Sequence, residues 1–334
     1  MNSAATSVLI SGLGACIPEK VVTNDDMAKI VETSDEWIRT RSGIGERRIA
    51  TEGQSTSTLG AIAAENAIAD AGINRDEIDL IIVGTMSPDM PFPSTACLIQ
   101  SKLGLDPVAA FDVSAACSGF LYILEVGSQM LRSGAYRNVL VIGAEKMSSI
   151  VDWEDRATCV LFGDGAGAAV LTRGDVPGIG VGEIILKAEG SRPELLCMPG
   201  GGTAMPTSTD TLNERQHYLK MNGKEIFRSA VKEMGNVTLE AIERNGLTPD
   251  DITCFIPHQA NIRIIESMAK RLETSMDKFY INIDRFGNTS AASVPIALWE
   301  AREQGRFGPG DNVVLAAFGA GLTWGGAVIK WPEA

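Results

Sequence analysis

The stretch that decides the fold is Ala67-Ile-Ala-Asp-Ala-Gly-Ile-Asn-Arg-Asp-Glu-Ile-Asp-Leu-Ile-Ile-Val-Gly84, which leads from an expected helix, through the turn residue Gly72, into an apolar run. The same pattern returns at Ala241–His258, where Ala-Ile, Gly, Ile and Ile recur at equal spacing. The copies lie 174 positions apart, because 241 minus 67 is 174, and Asn138-Val139 repeats at Asn312-Val313 with that offset. Two separated matches at one offset indicate a duplicated architecture.

Helical and strand-like segments alternate around these copies. We expect helices at residues 58–71, 94–103 and 118–133, and strands at residues 79–84, 111–114 and 138–143. Apolar strands without polar alternation, separated by helices, favour a parallel sheet in an α/β protein with both sheet faces covered. We therefore predict two similar α/β halves, residues 1–185 and 186–334, with the polar, Gly- and Pro-rich stretch around residues 190–220 connecting them.

The composition excludes several classes of function. The chain has 334 residues, of which 45% are hydrophobic, and this is enough for a large core without disulfide or metal support. Its 29 Lys and Arg residues are outnumbered by 42 Asp and Glu residues, which gives a formal net charge of −13. Nucleic acids and anionic membranes bind positive surfaces, so we expect neither as a partner.

Three features bear on the cellular location. No Lys or Arg precedes the N-terminal apolar stretch, the first being Lys20, so the stretch does not match a secretory signal. The uncharged run Asn312–Ile329 contains four glycines, which favours two buried strands around a tight turn over a membrane helix. The six cysteines show no C-x-x-C spacing and no histidine at ligand spacing. We therefore expect a cytoplasmic protein with reduced thiols and no metal site.

Cys117 is the candidate nucleophile. It occupies an expected strand-to-helix turn of small residues, Val113-Ser-Ala-Ala-Cys-Ser-Gly-Phe120. A thiol at a helix N-terminus experiences the positive end of the helix dipole, which we expect to lower its pKa and favour the thiolate. The alternative is a buried structural thiol, and the other five cysteines fit that role better because they lack this setting.

The repeat brings His258 and Asn288 toward Cys117. Position 258 minus 174 is 84, the end of a first-half strand, and position 117 plus 174 is 291, in the loop that contains Asn288. Open α/β sheets bind ligands at the carboxyl ends of their strands, so a pseudo-twofold axis would gather all three side chains in one crevice. A satisfied core histidine and a helix-capping asparagine are the alternatives. His217 lies in a polar segment and is interpreted as a surface residue.

Longer motifs surround the Cys, His and Asn residues. They are Thr33-Ser-Asp-Glu-Trp-Ile38, Arg41-Ser-Gly-Ile44, Asp112-Val-Ser-Ala-Ala-Cys-Ser-Gly119, Phe162-Gly-Asp-Gly-Ala-Gly-Ala168, Pro257-His-Gln-Ala-Asn-Ile-Arg263, Gly287-Asn-Thr-Ser-Ala-Ala-Ser-Val-Pro295 and Phe318-Gly-Ala-Gly-Leu-Thr-Trp-Gly325. With these motifs the chain resembles the β-ketoacyl-acyl carrier protein synthase III family over nearly its whole length. The resemblance implies a thiolase-like, duplicated five-layer αβαβα fold and a homodimer.

The resemblance also implies an activity. Enzymes of this family start type II fatty acid synthesis by a decarboxylating Claisen condensation of a short acyl-CoA, such as acetyl-CoA, with malonyl-acyl carrier protein. The products are 3-oxoacyl-acyl carrier protein, CoA and CO₂. Acyl-CoA is then a substrate, and no cofactor is expected.

Residue roles follow from the same resemblance. Cys117 would hold the acyl group, and His258 and Asn288 would stabilise the enolate that forms when malonate loses CO₂. The backbone N–H groups of Cys117 and Ala320 would form the oxyanion hole. Ala320 replaces the middle glycine of the family's Gly-Gly-Gly loop, where a positive φ would be unfavourable for alanine.

Two further groups of residues would bind the substrates. Trp37 and Arg156 would enclose the CoA adenine, Arg41 would lie near the phosphates, Asn261 near the pantetheine arm, and Phe92 and Phe227 along the channel. The carrier protein would bind Arg228, Gln259, Ala260, Asn261, Ile262, Arg263, Lys270 and Arg271. The last three cations of this set share one face of an expected helix, for which a solvated surface is the alternative.

Three other functions are alternatives to this one. A ketosynthase-III-like enzyme of secondary metabolism would use the same three residues on another acyl acceptor. A cysteine hydrolase also uses Cys, His and Asn in this chain order, but it would not explain the 174-residue duplication. A non-catalytic acyl-binding subunit would not need to keep all three polar residues.

Overall fold

A computed structural model describes residues 7–332 of the chain, and two large sheets organise them. The strands are β1 (Ser7–Cys16), β2 (Val21–Thr23), β3 (Glu46–Arg48), β4 (Leu80–Gly84), β5 (Ala109–Val113), β6 (Asn138–Lys146), β7 (Asp164–Gly174), β8 (Gly180–Ala188), β9 (Leu196–Cys197), β10 (Lys220–Met221), β11 (Cys254–Pro257), β12 (Asn312–Gly319) and β13 (Thr323–Lys330). One sheet has the order β1-β7-β6-β4-β5, and the other has the order β11-β12-β13-β8.

The helices lie between these strands along the chain. They are α1 (Asn24–Met27), α2 (Asp35–Ser42), α3 (Thr56–Asp70), α4 (Thr95–Leu103), α5 (Gly119–Arg132), α6 (Arg156–Cys159), α7 (Thr209–Asn213), α8 (Gly223–Arg244), α9 (Ile262–Arg271), α10 (Ile283–Phe286) and α11 (Ser293–Glu303). Among the described residues, none of these helices is long and apolar enough to span a membrane.

The sheets and helices form five layers. The central apolar cluster combines residues of both sheets with the buried residues of α5 and α11, so these two helices lie between the sheets. A second cluster packs α3 and α4 on the outer face of the first sheet. A third cluster packs α8 and α9 on the outer face of the second sheet. Each sheet is therefore covered on both faces, as expected for strands without polar alternation.

The predicted duplication is confirmed at the level of whole elements. Strands β4 and β11 begin 174 positions apart, at Leu80 and Cys254, and so do β6 and β12. Helices α5 and α11 also begin 174 positions apart, at Gly119 and Ser293. The two sheets share the same order of four strands, since β1, β7, β6 and β4 correspond to β8, β13, β12 and β11. The chain is a tandem of two copies of one α/β unit.

The connection between the halves differs from the sequence-based division at residue 185. Strand β8 already belongs to the second sheet, because its Gly180 and Val181 pair with Lys330 and Ile329 of β13. The chain therefore crosses between the sheets at residues 175–179. The Gly- and Pro-rich stretch around residues 190–220 follows β8 and contains the short β9–β10 pair, so it is an insertion of the second half. Its composition is typical of an irregular segment, and composition alone does not distinguish a connection from an insertion.

Candidate active site

The three residues singled out in the sequence line one cavity. Cys117, His258 and Asn288 all contribute to a cavity of about 230 Å³. Cys117 lies in a 3-10 turn between β5 and α5, His258 follows β11 directly, and Asn288 precedes the 3-10 turn that leads into α11. All three occupy the positions that the duplicated fold predicts, at the carboxyl ends of strands or in the loops that follow them.

Two bends of the backbone form the centre of this cavity. Ala116 immediately before Cys117 has φ 48°, and Ser290 has φ 50°, so both are in the left-handed region that non-glycine residues rarely adopt. The two residues are related by the repeat, because 290 minus 116 is 174. Gly319 packs closely against the first bend, since a Cβ atom at Gly319 would lie 2.6 Å from the Cys117 nitrogen. The nucleophile is therefore held by backbone contacts from both halves.

The protonation state of Cys117 differs from the sequence-based expectation. The side chain is only 5% exposed. Burial raises the pKa of the Cys117 thiol to about 12, a hydrogen bond with Ser290 lowers it, and the Glu145 carboxylate raises it further. Desolvation of the thiolate is the largest of these effects, and it opposes the lowered pKa that we expected from the helix dipole. At neutral pH the residue is a neutral thiol, so its proton must leave as the sulfur attacks.

His258 is oriented by Ser293, the first residue of α11. Its Nδ1 lies 3.0 Å from the Ser293 hydroxyl, and its backbone N–H donates to the Ala316 carbonyl oxygen at 2.7 Å. The Ser293 oxygen already accepts the Gln259 N–H at 2.8 Å, so its own proton is free to donate to Nδ1. This arrangement places the imidazole proton on Nε2, the nitrogen left for the cavity. Burial lowers the pKa of His258 to about 4, so the ring is a neutral hydrogen-bond donor.

Replacement of Ser293 by alanine tests this positioning role. We expect condensation to slow by about tenfold, because losing one hydrogen bond to Nδ1 frees the ring to take the other tautomer. Loading of Cys117 should remain unchanged, and Ser293→Thr should restore the rate. Stopped reactions read by intact mass for loading, together with CO₂ release for condensation, separate the two steps. An equal loss in both steps would mean that Ser293 only supports the fold.

The geometry of Asn288 is compatible with both roles that the sequence left open. Its Oδ1 accepts the Ser290 N–H at 2.9 Å and so caps the turn that follows. Its backbone is fixed by bonds to Leu161 and Gly163. Within residues 7–332 no hydrogen bond engages the Asn288 amide NH₂, which is a donor for a ligand in the cavity. The oxygen of this side chain therefore shapes the loop, and its nitrogen is left without a hydrogen-bond partner among the described residues.

The predicted oxyanion residue Ala320 follows Gly319 in the turn between β12 and β13. Its φ is not in the left-handed region, so the substitution of glycine by alanine causes no strain there. The Ala320 carbonyl oxygen accepts a hydrogen bond from Thr323 at 2.9 Å, which fixes the turn next to Cys117. The same threonine hydroxyl lies 2.9 Å from the Ala115 carbonyl oxygen, so it links the turn to the nucleophile loop.

The predicted CoA residues are only partly brought together. Trp37, Arg41, Phe227 and Asn261 line the cavity with the three central residues. The guanidinium carbons of Arg41 and Arg156 lie 4.8 Å and 5.0 Å from the Trp37 ring centroid, so both cations stack on that indole. Arg156 thus contacts the ring itself, and an adenine between the two would have to displace it. Asn261 caps α9 and donates to the Arg41 carbonyl oxygen at 2.8 Å.

Phe92 lies apart from the other predicted CoA residues. It does not line the cavity of this chain, and it is 84% exposed in the segment between β4 and α4. An aromatic ring so far out of contact contributes nothing to the channel of its own chain.

Seven of the eight predicted carrier-protein residues are exposed or half-buried, and Gln259 is buried. Arg263, Lys270 and Arg271 are exposed on α9, and Arg228 pairs with Glu225 on α8. The other members, Ala260, Asn261 and Ile262, are half-buried next to the start of α9. The side chain of Gln259 lies inside the protein.

The Gln259 side chain is a structural group. It is 1% exposed, donates to the carbonyl oxygens of Pro257 and Tyr280, and accepts the N–H groups of Asn282 and Ile283. A docking protein cannot reach this side chain. The prediction that Gln259 binds the carrier protein is therefore wrong. The error arose because Gln259 is adjacent in sequence to exposed positions, whereas its side chain points into the second half.

Three residues near the cavity were not predicted from the sequence: Ser290, Ser293 and Glu145. The 174-residue repeat could have indicated Ser290, because it is the equivalent of Ala116, which precedes Cys117. Ser293 and Glu145 gave no such signal, since their partners come from other segments. Ser293 contacts His258, and Glu145 contacts residues 85–87.

Comparisons with known proteins agree with this geometry. The family models described as 3-oxoacyl-[acyl-carrier-protein (ACP)] synthase III and its C terminal match residues 111–190 and 242–331. The β-ketoacyl-[acyl-carrier-protein] synthase III of Caldanaerobacter subterraneus subsp. tengcongensis is 54% identical over 324 residues, covering 97% of this chain and 98% of that protein. The chain belongs to the β-ketoacyl-[acyl-carrier-protein] synthase III family.

Solved structures of related condensing enzymes have the same fold. The 3-oxoacyl-[acyl-carrier-protein] synthase III of Aquifex aeolicus VF5 has a TM-score of 0.89 and 46% identity, covering 98% of this chain and all of that one. A priming β-ketosynthase of the R1128 polyketide biosynthetic pathway has a TM-score of 0.90 and 35% identity, covering 98% and 97%. These findings confirm the predicted thiolase-like fold and the prediction that the chain is a condensing acyltransferase of this family.

Proposed function

We propose that Cys117 takes a short acyl group from acyl-CoA and passes it to the carbanion formed from malonyl-acyl carrier protein. The products are 3-oxoacyl-acyl carrier protein, CoA and CO₂, and this reaction starts type II fatty acid synthesis in the cytoplasm. Acyl-CoA acts as a substrate, and no cofactor takes part. The observation that carries the proposal is the convergence of Cys117, His258 and Asn288 on one cavity that also reaches Trp37 and Arg41.

In the first half-reaction the Cys117 sulfur attacks the thioester carbonyl carbon of acyl-CoA. The carbon–sulfur bond to CoA breaks, the thiolate of CoA leaves and takes a proton from solvent, and the acyl group stays on Cys117. The Cys117 and Ala320 N–H groups would stabilise the oxyanion of the tetrahedral intermediate. The close contact between Gly319 and the Cys117 nitrogen supports this role, because it holds the two N–H-bearing segments side by side.

In the second half-reaction the malonyl thioester loses CO₂. The resulting enolate oxygen would accept hydrogen bonds from His258 Nε2–H and the Asn288 amide, both of which are available in the cavity. The carbanion attacks the acyl carbon, and the Cys117 sulfur leaves. A histidine that stays neutral suits a donor role over a wide pH range.

The starter acyl group is tested by intact-mass measurement. The purified protein is incubated with a panel of acyl-CoAs from acetyl to long and branched chains, and the mass gain on the peptide that contains Cys117 is recorded. A short starter predicts rapid loading by acetyl-CoA or its near homologues and slow loading by long chains. Absence of any acyl mass on Cys117 would overturn the proposed function.

The acceptor separates this function from that of a secondary-metabolism enzyme. Curated relatives named β-ketoacyl-[acyl-carrier-protein] synthase III are 54% and 52% identical over nearly the whole chain, which favours the primary role. Comparing malonyl-acyl carrier protein with malonyl-CoA as the second substrate tests it directly.

A homodimer is the proposed assembly. The exposed Phe92 and Met90, which is 44% exposed, lie on one segment between β4 and α4, and adjacent exposed apolar side chains are typical of an interface. Sedimentation at equilibrium gives the mass in solution, and Phe92→Ser should lower the affinity of the dimer. A monomeric wild-type protein would contradict this assembly.

Arg263 supports the docking of the acidic carrier protein. Its guanidinium lies 5.4 Å from the Phe227 ring centroid, so it links α9 to the cavity, and no ion pair occupies it within the described residues. Arg263→Glu should raise KM for malonyl-acyl carrier protein about tenfold through charge repulsion, while acyl-CoA loading stays unchanged. Lys102→Glu, an exposed change on α4, is the matched control and should alter neither step. Equal effects of Arg263→Glu on both steps would contradict docking at α9.

A further inference from the structure

Arg47 of β3 is a buried cation that neither half-reaction described above uses. It is 0% exposed, and among the described residues no Asp or Glu forms an ion pair with it, since the adjacent Glu46 pairs with Arg48. Burial lowers the pKa of the Arg47 guanidinium to about 10, so the group is charged at neutral pH. A charge enclosed in this way is unfavourable unless hydrogen bonds replace the water that it has lost. The hydrogen bonds of Arg47 are therefore strong constraints on the segments that accept them.

The guanidinium of Arg47 joins three segments of the chain. Its Nη1 donates to the Val22 carbonyl oxygen of β2 at 3.1 Å. Its Nη2 donates to Asn24 Oδ1 at the start of α1 at 2.9 Å, and to the Val160 carbonyl oxygen after α6 at 2.7 Å. Asn24 is itself held, because its Nδ2 donates to the Ile44 carbonyl oxygen at 2.8 Å. A planar group with several donors in fixed directions thus sets the position of Val160 against two other segments.

The residues that follow Val160 hold the backbone of Asn288. The Asn288 N–H donates to the Leu161 carbonyl oxygen at 2.9 Å, and the Gly163 N–H donates to the Asn288 carbonyl oxygen at 3.0 Å. Phe162 and Asn288 therefore form a short parallel bridge. Val160, Leu161 and Phe162 line the same cavity as Asn288. The direction of the Asn288 side chain thus depends on a backbone segment whose first residue is bound by Arg47.

The stem of Arg47 packs against both sides of this bridge. A Cβ atom at Gly163 would lie 3.2 Å from the Arg47 Cβ atom, and a Cβ atom at Gly287 would lie 3.3 Å from it. Gly163 directly follows Phe162, and Gly287 directly precedes Asn288. Arg47 therefore contacts both partners of the bridge with its stem and fixes one of them with its guanidinium.

We propose that Arg47 is a positioning residue for condensation and that it acts through Asn288. It holds residues 160–163 in the place that directs the Asn288 amide NH₂ toward the enolate oxygen of the malonyl thioester. Arg47 does not line the cavity, so it contacts neither substrate. Acylation does not depend on it, because Cys117 is held by its own turn and by Gly319. This inference rests on the proposed function, which assigns Asn288 to the enolate.

Arg47→Met in the full-length protein tests the proposal. Methionine keeps an unbranched apolar stem beside the two glycines and removes the guanidinium. Condensation should slow by about 10- to 100-fold, a loss typical of a misplaced catalytic group, while loading of Cys117 should stay within about threefold of the wild type. Single-turnover loading read by intact mass and CO₂ release from malonyl-acyl carrier protein measure the two steps separately. An equal loss in both steps would overturn the proposal.

A double-mutant cycle shows whether the effect of Arg47 passes through Asn288. In the Asn288→Ala background, Arg47→Met should slow condensation by no more than about threefold, because the amide that it positions is gone. A merely structural role would slow condensation by the same factor in both backgrounds, and that result would overturn the proposal. Should Arg47→Met not fold, Arg47→Lys takes its place in the cycle with the same criteria. Lysine keeps the charge but cannot bind three separated acceptors with a planar group.

Arg132→Met is the matched control. Arg132 of α5 is also an arginine that donates to a backbone carbonyl oxygen, that of Val181 at 2.8 Å, but it does not line the cavity. Both half-reactions of Arg132→Met should stay within about threefold of the wild type. Slowing of condensation alone, to the degree seen with Arg47→Met, would overturn the proposal. A wild-type protein that gains no acyl mass on Cys117 would instead overturn the proposed function itself.

Discussion

Cys117→Ala will form no acyl-enzyme and will lose condensing activity by a factor on the order of 10⁴ or more, a loss typical of removing a nucleophile. The reason is that the acyl group then has no covalent position next to His258 and Asn288. Intact-mass measurement after incubation with acetyl-CoA checks the first part, and 3-oxoacyl-carrier-protein formation checks the second.

Two controls distinguish loss of the nucleophile from loss of folding. The enolate-forming residues are intact in Cys117→Ala, so slow release of CO₂ from malonyl-acyl carrier protein should persist and should show that the cavity is folded. Cys97 is the exposed cysteine, and Cys97→Ala should load acetyl groups at the wild-type rate. Acyl mass that remains in Cys117→Ala and disappears in Cys97→Ala would place the nucleophile elsewhere.

Asn288→Ala will separate the two half-reactions. Acylation of Cys117 should proceed, whereas condensation should fall by about 10²- to 10³-fold, which is the usual effect of removing one donor to a developing oxyanion. His258→Ala should behave in the same way, because in the proposed mechanism both side chains act on the malonyl thioester. Single-turnover loading by mass and CO₂ release by a radiolabelled malonyl group measure the two steps independently.

Asn288 also caps the following turn. A second variant is therefore needed to separate the effect of its amide NH₂ donor from the effect of the cap. Asn288→Asp keeps an oxygen for the Ser290 N–H but removes the amide protons and places a negative charge near the enolate. It should load acyl groups normally and condense as poorly as the alanine variant. If Asn288→Asp condenses at the wild-type rate, the side chain acts only as a cap.

The duplication and the three central residues could be predicted from the sequence because a fixed offset survives divergence. Equivalent elements kept their length between Ala67 and Gly84 and between Ala241 and His258, so the spacing of the repeat alone places His258 at a strand end. Parallel sheets bind ligands at the ends of their strands, so the position of a residue at a strand end was enough to predict that it lines the cavity.

What the sequence did not predict depends on burial and on contacts between distant segments. The pKa of Cys117 was expected to fall with the helix dipole, but enclosure by residues of both halves raises it. Gln259 was placed on a surface because of its neighbours, although it bonds residues 280–283. Arg156 reaches the Trp37 ring across more than a hundred positions of sequence. Desolvation and long-range packing of this kind leave no local pattern.

The paired left-handed bends at Ala116 and Ser290 give the two halves the same local backbone shape. One bend is followed by the sulfur of Cys117, and the other carries a hydroxyl. The cavity is lined by side chains from both halves, since Cys117 comes from the first half and His258 and Asn288 come from the second. A gene fragment encoding either half alone would therefore specify a folded unit at most, and never half of the turnover.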